Sequence, residues 1–204
     1  MTNHLLTWVG VDDPSRVDLA SVELGAASMR AVGGARAQHF SSSWELDVAD
    51  GWVTRALRVT TRGLGWVRSV DLTRSSAGEW RADVTARGDA PLPPPGLADP
   101  DSLDGAVDCD LGLCPVTNTM PIRRLGLLEH DLPDTPLAMA WVEMPSLRVL
   151  RSDQVYASGP AADRRRVRYT SFSRDFSAEL TVDTDGFVTD YPTLARREER
   201  SPTR

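Results

Sequence analysis

Alternation of apolar and polar residues with a period of two is the feature that most constrains the fold of this chain. Between residues 43 and 85, four such runs follow one another, separated by turn-forming residues such as Asp50-Gly51 and the segment 75–78. Asp-Gly pairs favour the positive φ angles of tight hairpin turns, and an alternating run places one face of a strand in the core. We therefore predict a four-stranded antiparallel meander over residues 43–85.

Similar runs occur on both sides of this meander. The further predicted strands are at 4–11, 17–24, 29–39, 147–156, 166–172, 176–182 and 187–191. The nearly continuous apolar run at 137–142 predicts a strand that is covered on both faces, which would make it the most deeply buried strand. The fold class is therefore predicted to be mainly β, with a many-stranded antiparallel sheet.

One segment does not fit a strand. From Thr117 or Thr119 to about residue 127, the chain has a hydroxyl side chain suited to cap a helix and a proline in the first turn. Met120, Ile122 and Leu125 follow at a spacing that places them on one side of a helix. We predict one short helix here, packed against the sheet.

The length of 204 residues suits one large β domain, with two small domains as the alternative. A chain of this size buries roughly 70% of its unfolded surface, so its core needs neither a disulfide nor a metal. Five prolines between residues 89 and 104 predict a long, stiff loop. Because both sides of this loop have the same β character, we predict a single domain over residues 1–195, followed by a flexible tail over residues 196–204.

The charge of the chain argues against a nucleic-acid partner. The formal net charge is −6, and the isoelectric point is about 5.1. Affinity for nucleic acid depends on neutralising phosphates, which requires a basic stripe and a high isoelectric point. The basic run at 164–168 is the local exception, and a solvated turn is its simpler interpretation.

Targeting and cysteine patterns predict a cytoplasmic chain without an integral membrane segment. No secretory apolar region precedes Trp8, and no apolar run approaches the roughly 20 residues of a membrane-spanning helix. Cys109 and Cys114 are therefore expected to be free thiols. Because carboxylates on both sides of Cys109 would suppress its thiolate, we predict that the cysteines are structural rather than nucleophilic.

The sequence contains no recognisable catalytic constellation. Its three histidines, His4, His39 and His130, are not at metal-ligand spacing, and the cysteines have no histidine partners. Nucleophile-elbow, phosphate-loop and dinucleotide motifs are absent, and the acidic turn at 183–186 matches only the start of a calcium loop. We predict no catalytic residue, no metal site and no cofactor, and we favour a protein that is not an enzyme.

The polar side chains of segment 117–124 form the candidate ligand-binding group: Thr117, Asn118, Thr119, Arg123 and Arg124. Asparagine and threonine both donate and accept hydrogen bonds, which suits a hydroxyl-rich partner. An arginine fork binds phosphate or carboxylate through two parallel hydrogen bonds. The alternative is structural, because the same side chains could cap a helix while the arginines pair with Asp108 or Glu129.

Several segments resemble the bacterial putative glycolipid-binding family, formerly a domain of unknown function. The longest is segment 108–125, whose core at 117–125 reads Thr-Asn-Thr-Met-Pro-Ile-Arg-Arg-Leu. Segments 141–147, 154–156 and 182–192 extend the similarity over nearly the whole chain. Where the family pattern commonly has serine, this chain has Cys114, which argues against a required thiol.

The resemblance implies a single domain of many antiparallel strands rolled around one helix, a spiral β-roll. This fold is similar to that of bacterial lipoprotein carriers, which have an open apolar half-barrel. The matching segments add three aromatic residues to the candidate ligand-binding group: Trp141, Tyr156 and Tyr191. An apolar concavity would gain about 0.8 kcal/mol for each buried methylene of an acyl chain.

Three hypotheses for the function follow. The first is a non-catalytic protein that binds a glycolipid or a similar amphipathic small molecule. The second is an enzyme of sugar or lipid metabolism that uses paired carboxylates from Asp108 and Asp110 or Glu143. The third is a ligand-free scaffold whose interior is filled by packed tryptophans, namely Trp44, Trp66, Trp80 and Trp141. A homodimer formed through an exposed sheet edge is a further expectation.

Overall fold

A computed structural model describes residues 1–198 of the chain. Fifteen β-strands belong to one sheet, and these residues contain a single α-helix. The first seven strands are β1 (Thr2–Gly10), β2 (Val17–Leu24), β3 (Met29–Arg36), β4 (Ser41–Ala49), β5 (Val53–Gly63), β6 (Trp66–Arg74) and β7 (Trp80–Gly88). The remaining elements are β8 (Gly96–Leu97), β9 (Asp108–Leu111), α1 (Thr119–Leu125), β10 (Thr135–Val142), β11 (Arg148–Ser158), β12 (Arg166–Ser171), β13 (Phe176–Val182), β14 (Val188–Tyr191) and β15 (Ala195–Arg197).

The strand order of the sheet follows the chain closely. It is β7-β6-β5-β4-β3-β2-β1-β15-β14-β13-β12-β11-β10-β9, and β8 pairs with β11 outside this path. Neighbouring strands are antiparallel except for two parallel pairs, β9 with β10 and β8 with β11. The predicted fold class is confirmed, since the chain forms one large, open, mainly antiparallel sheet with a single short helix. The more specific spiral arrangement stays a prediction.

The predicted meander at 43–85 is confirmed as β4–β7. Gly51, with a φ of 80°, lies in the turn between β4 and β5. Trp44, Leu46 and Val48 of β4 are buried, whereas the residues between them are half-buried or exposed. The period of two therefore separates an inner from an outer face of the sheet, as the alternation indicates.

The strand at 137–142 is not the most deeply buried one, so that prediction is wrong. β10 covers this segment and has several half-buried residues, whereas all four residues of β9 are buried. β9 forms one edge of the sheet, and the sheet curls so that β9 lies against β5. There the hydroxyl oxygen of Thr54 accepts a hydrogen bond from the backbone N–H of Cys109 at 2.9 Å.

Two clusters of buried side chains fill the inside of the curled sheet. The larger cluster joins strands β1–β7 to one face of β9–β11 and includes Trp8 and Trp44. The smaller cluster joins the other face of β10 and β11 to β12–β14 and α1, and it includes Tyr156 and Tyr169. β10 and β11 therefore contribute side chains to both clusters.

The predicted short helix is confirmed as α1. The expected hydroxyl cap is wrong, because the N-cap residue is Asn118 and its side chain makes no capping hydrogen bond. A 3-10 turn leads directly into the helix instead, which is a common way to begin one. Gly126, with a φ of 61°, ends α1 in the left-handed conformation that glycine adopts at low cost. Met120 and Ile122 on the predicted apolar side are fully buried.

The proline-rich loop at 89–104 contains more regular structure than the sequence predicts. The two-residue strand β8 and a 3-10 turn at Pro100–Leu103 lie within it. Buried Arg68 of β6 fixes the loop by donating hydrogen bonds to the carbonyls of Leu92, at 3.1 Å, and Pro93. Most of the prolines of the loop lie outside β8 and the 3-10 turn.

The predicted tail at 196–204 begins too early. Arg196 and Arg197 belong to β15, which pairs with β1, and residues 199–204 lie outside the described part of the chain. One sheet runs through both halves of the protein, which supports our proposal of a single domain. Within residues 1–198, the helices lack the length and apolar character needed to cross a bilayer.

Candidate functional site

Asp110 of β9 is the centre of a buried polar cluster within the motif at 108–125. Its two carboxylate oxygens accept hydrogen bonds from Oγ1 of Thr117, at 3.0 Å, and from Nε2 of Gln154, at 2.7 Å. In the same 3-10 turn as Thr117, Asn118 donates from Nδ2 to the hydroxyl oxygen of Tyr156 at 2.8 Å. We call this set the Asp110 cluster. It connects β9, the turn before α1 and β11.

Three tyrosines pack beside the Asp110 cluster. The ring centroids of Tyr156 and Tyr169 are 5.1 Å apart, and those of Tyr169 and Tyr191 are 5.9 Å apart. Burial raises the pKa of Tyr169 to about 12, and the charge of Asp110 acts in the same direction. Burial also raises the pKa of Tyr156 and that of Tyr191. All three phenols therefore stay protonated near neutral pH and offer aromatic surface rather than acid–base chemistry.

Arg174 lies at the entrance to this cluster. Its guanidinium donates a hydrogen bond to the hydroxyl of Tyr169, and its Cζ is 5.8 Å from the ring centroid of Trp141. The cleft that Arg174 shares with Asp110, Asn118, Tyr169 and Tyr191 has a volume of about 10 Å³, which holds about one water molecule. As it stands, the cleft is too small for a sugar ring.

The arginine pair of α1 lies elsewhere. Arg124 forms an ion pair with the fully buried Asp108, and Cζ of Arg123 is 5.4 Å from the ring centroid of Trp52. Burial raises the pKa of Asp108, and Arg124 opposes this shift. A buried carboxylate without its partner would be strongly destabilising. The geometry therefore supports the structural alternative for Arg124, a pair with Asp108.

The structure brings only part of the predicted ligand-binding group together. Five of its eight residues surround the Asp110 cluster or its entrance: Thr117, Asn118, Trp141, Tyr156 and Tyr191. The other three, Thr119, Arg123 and Arg124, lie on α1 away from this cleft. Thr119 is fully buried, and its hydroxyl has no hydrogen-bond partner. Contact between any of the eight side chains and a ligand stays a prediction.

The two cysteines are free and buried, as the sequence predicts. Burial raises the pKa of Cys109 to about 12 and also raises that of Cys114. A thiol is nucleophilic only as its thiolate. These residues therefore contribute packing to the core rather than reactivity.

The carboxylates of the enzyme hypothesis are each engaged separately. Asp108 pairs with Arg124, Asp110 accepts hydrogen bonds from Thr117 and Gln154, and Glu143 accepts one from the hydroxyl of Ser146. Only Asp110 lines the cleft beside Arg174. Across residues 1–198, no three histidine, cysteine or acidic side chains are grouped so that they could hold a metal ion.

A larger concavity lies on the outer face of the sheet, outside the motif at 108–125. It is an apolar groove of about 820 Å³ across β1–β3 and the start of β4. Leu5, Leu19 and Val32 line it and are 55%, 56% and 53% exposed. Gly34 lies in its floor, where an added Cβ would come within 2.3 Å of the carbonyl oxygen of Ser42. We call this groove the outer trough.

The sequence signal for the outer trough is a change of phase in β2. Ala20, Val22 and Leu24 face inwards, and so does Asp18, which leaves the apolar Leu19 on the outer face. The charged Asp18 therefore lies on the inner face, while its apolar neighbour Leu19 lies on the outer face. Alternation alone does not reveal this inversion, because a period of two does not specify which set of residues lies on the inner face.

Comparison with known proteins identifies the family. The family model described as Putative glycolipid-binding matches residues 5–197. A crystal structure of a DUF1089 family protein from Pseudomonas aeruginosa is similar to this chain, with a TM-score of 0.67 and 25% sequence identity, over 89% of this chain and 92% of that chain. None of the curated proteins compared with the chain matches it. Because the family model spans nearly all of the chain, the protein belongs to the Putative glycolipid-binding family.

Proposed function

We propose that the protein binds a glycolipid or a similar amphipathic small molecule without catalysing a reaction on it, and that the outer trough holds the apolar chain of this ligand. The observation that carries the proposal is the trough itself. Its volume of about 820 Å³ is within the range of small-molecule sites, and exposed aliphatic side chains line it. The description of the family supplies the chemical class of the ligand.

The packing of the interior supports an external site. The resemblance implied an apolar concavity inside the roll, but the two core clusters occupy that region. A filled interior is also what the scaffold hypothesis expects. Its four tryptophans do not pack together, however, since Trp44 and Trp80 are buried in the larger cluster whereas Trp66 and Trp141 are only half-buried.

The free energy available at the trough is sufficient for binding. Each methylene that leaves water contributes about 0.8 kcal/mol, so a chain of eight to ten buried methylenes would gain on the order of 6–8 kcal/mol before the cost of its ordering. A grouped patch of exposed aliphatic side chains on a soluble surface usually marks a binding site. Leu5, Leu19 and Val32 form such a patch.

A binding role without catalysis is supported by the state of the ionisable groups. The buried tyrosines and thiols have raised pKa values, and Asp108, Asp110 and Glu143 are each held by separate partners. Two-carboxylate chemistry would instead require both groups to face one ligand site. A cytoplasmic location and a homodimer stay predictions.

Titration with dodecyl glucoside below its micellar concentration, followed by calorimetry, tests the proposal. We expect one ligand to bind per chain, and we expect Leu19→Asp to weaken binding at least about tenfold. The substitution removes apolar contact worth about 1.5 kcal/mol or more and places a charge beside the chain. Native mass spectrometry of gently purified protein should also reveal a bound amphiphile that organic extraction removes.

The matched control is Leu64→Asp, because Leu64 is 99% exposed and lies outside the trough. It should bind dodecyl glucoside as the natural protein does. Circular dichroism of both variants separates lost binding from lost folding. The proposal would be wrong if folded natural protein bound no alkyl glycoside and was always purified without a bound amphiphile. It would also be wrong if Leu19→Asp and Leu64→Asp bound dodecyl glucoside with the same affinity.

A further inference from the structure

Three arginines lie on one transverse row of the outer face. In the register of β3–β7, Arg36 is opposite Ser41, Ser41 is opposite Arg62, Arg62 is opposite Val67, and Val67 is opposite Arg87. Arg36, Arg62 and Arg87 are all exposed. We call them the arginine row.

The arginine row differs from the other arginines on this face, which have acidic partners. Arg30 and Arg55 both lie near Asp47, at 3.8 and 3.5 Å, and Arg58 lies 3.0 Å from Asp71. None of the three row arginines forms an ion pair with any residue in the described range 1–198. On a chain with a net charge of −6, this row is a local excess of uncompensated positive charge.

The arginine row meets one end of the outer trough. Arg36 lines the trough, and the next row of the register contains Leu19 opposite Gly34. The other end of the trough has charges of both signs, from Glu23, Arg30 and Asp47. The trough therefore joins an apolar floor to an unpaired cationic end, as an amphipathic ligand with one charged end would require.

The spacing within the row allows two arginines to bind one anion. Arg36 and Arg62 are on β3 and β5, with β4 between them, and adjacent strands are about 4.8 Å apart, so their Cα atoms are about 10 Å apart. Two arginine side chains span this distance from either side, and Ser41 lies between them with a hydroxyl donor. Guanidinium groups bind phosphate and carboxylate oxygens through paired hydrogen bonds.

We infer that the polar head of the ligand carries an anionic group, a phosphate or a carboxylate, which Arg36 and Arg62 bind at the end of the outer trough. This inference rests on the proposed function, since it assumes that the trough holds the apolar chain. It adds the charge of the head and the orientation of the ligand, with the head at the arginine row. A single amphiphile fits better than a membrane surface, because the aliphatic side chains line a groove.

Three probes with the same alkyl chain test the inference: dodecyl phosphate, dodecanoate and dodecyl glucoside, each below its micellar concentration. The natural protein should bind at least one anionic probe about tenfold more tightly than the glucoside. In Arg36→Gln/Arg62→Gln, the ratio of anionic-probe affinity to glucoside affinity should fall to about one. Each exposed ion pair is worth up to about 1 kcal/mol, or about fivefold, so two together give the expected size. The two anionic probes distinguish a phosphate from a carboxylate head.

The charge-matched control is Arg30→Gln/Arg55→Gln, which removes two paired arginines from the same face and should keep the preference. Equal binding of all three probes by the natural protein, or an unchanged preference in Arg36→Gln/Arg62→Gln, overturns the inference but leaves the proposed function intact. Failure of all three probes to bind to protein that is also purified without an amphiphile overturns both. The inference of a single amphiphile is overturned if inorganic phosphate binds as tightly as dodecyl phosphate. It is also overturned if the protein binds only to anionic vesicles.

Discussion

Asp18 is a residue whose ionisation we expect to contribute to the pH dependence of stability. It lies on the inner face of β2, is 5% exposed, and one of its carboxylate oxygens is 3.2 Å from Nε of Arg16. Burial raises its pKa from 3.8 to about 6, although Arg16 favours the charged form. The raised value means that desolvation of the carboxylate outweighs the ion pair.

The sign of the effect follows from proton binding. Between about pH 4 and about pH 6, folded protein holds a proton on Asp18 that unfolded protein has lost, so the free energy of unfolding falls as pH rises through this range. The rise of the pKa of Asp18 from 3.8 to about 6 corresponds to about 3 kcal/mol of unfolding free energy. We expect Asp18→Asn to lose this part of the pH dependence, as measured by urea unfolding at several pH values.

Asp83→Asn serves as the control, because Asp83 is exposed on β7 and has no ion-pair partner within the described chain. It should follow the same pH profile as the natural protein. The comparison uses the slope of the unfolding free energy with pH and not its absolute value. A general destabilisation by Asp18→Asn therefore does not affect it. Parallel profiles for the natural protein and Asp18→Asn would refute the assignment.

Individual residues of the motif at 108–125 were only partly predictable. The pair between Asp108 and Arg124 was one of two alternatives that residue chemistry allows, and the structure has it. The burial of Thr119 and the position of Arg123 against Trp52 were not predictable. They depend on where the helix lies between the two core clusters, which local spacing does not specify.

At the scale of elements, β9 depends on a side chain from a distant strand. It is an edge strand, yet it is buried, so its free backbone donors need partners within the protein. Thr54 of β5 supplies one of them by accepting the N–H of Cys109. This hydrogen bond connects the edge strand β9 to β5, in the first half of the sheet.

Thr54→Val tests the importance of that connection. Valine has the same shape without the hydroxyl, so the buried N–H of Cys109 loses its acceptor, which should cost about 1–3 kcal/mol of unfolding free energy. Amide hydrogen exchange should show faster exchange at Cys109 and its neighbours in β9. Urea unfolding gives the accompanying change in stability.

Thr54→Ser is the matched control, because serine keeps the hydroxyl and removes only a methyl group. Its amide protection in β9 should be close to that of the natural protein, with a loss of about 0.8 kcal/mol for the methyl group. Equal exchange rates at Cys109 in Thr54→Val and Thr54→Ser would show that this hydrogen bond does not hold β9 in place.

Strands with a regular period were the most predictable elements. The meander at β4–β7 and the short helix were identified because their patterns are local. The burial of β9 and the two-residue strand β8 were not, because both result from the curl of the sheet over β5 and β11. A four-residue strand with two aspartates carries no sign of full burial in its own sequence.

At the scale of the whole molecule, the pairing of β1 with β15 decides whether the chain behaves as one unit. Trp8, Val9 and Gly10 are opposite residues of β15, and the rest of the sheet extends from this pair in both directions. If the chain is a single domain, as we propose, both halves should unfold in one transition. A boundary at the loop 89–104 would instead give two transitions.

A chain that ends after Leu194 tests this proposal, because it lacks β15. We expect its single transition to move to a lower temperature, as followed both by far-ultraviolet circular dichroism and by tryptophan fluorescence, since the core cluster that contains Trp8 and Ala195 is shared between the halves. A chain that ends after Glu198 keeps β15 and should be close to the full-length protein. Two separate transitions in full-length protein would rule out a single cooperative unit.

The overall class was predictable from the sequence, whereas the ligand surface that we propose was not. A period of two, repeated along most of the chain, is enough to indicate a large antiparallel sheet. The outer trough depends on exposed residues from β1, β2 and β3 that become neighbours only through register. Leu5, Leu19 and Val32 therefore lie far apart in the sequence and carry no common motif.

The pairing of the first strand with the last also has a consequence for biosynthesis. While the ribosome is still making the second half, β1 has β2 on one side and an unsatisfied backbone edge on the other, since β15 follows all the other described strands in the chain. The nascent chain can form the β1–β7 meander early, but the sheet becomes continuous only once residues 195–197 have left the ribosome. We expect the edge of β1 to stay exposed until then, which favours the binding of chaperones to the unfinished chain during synthesis.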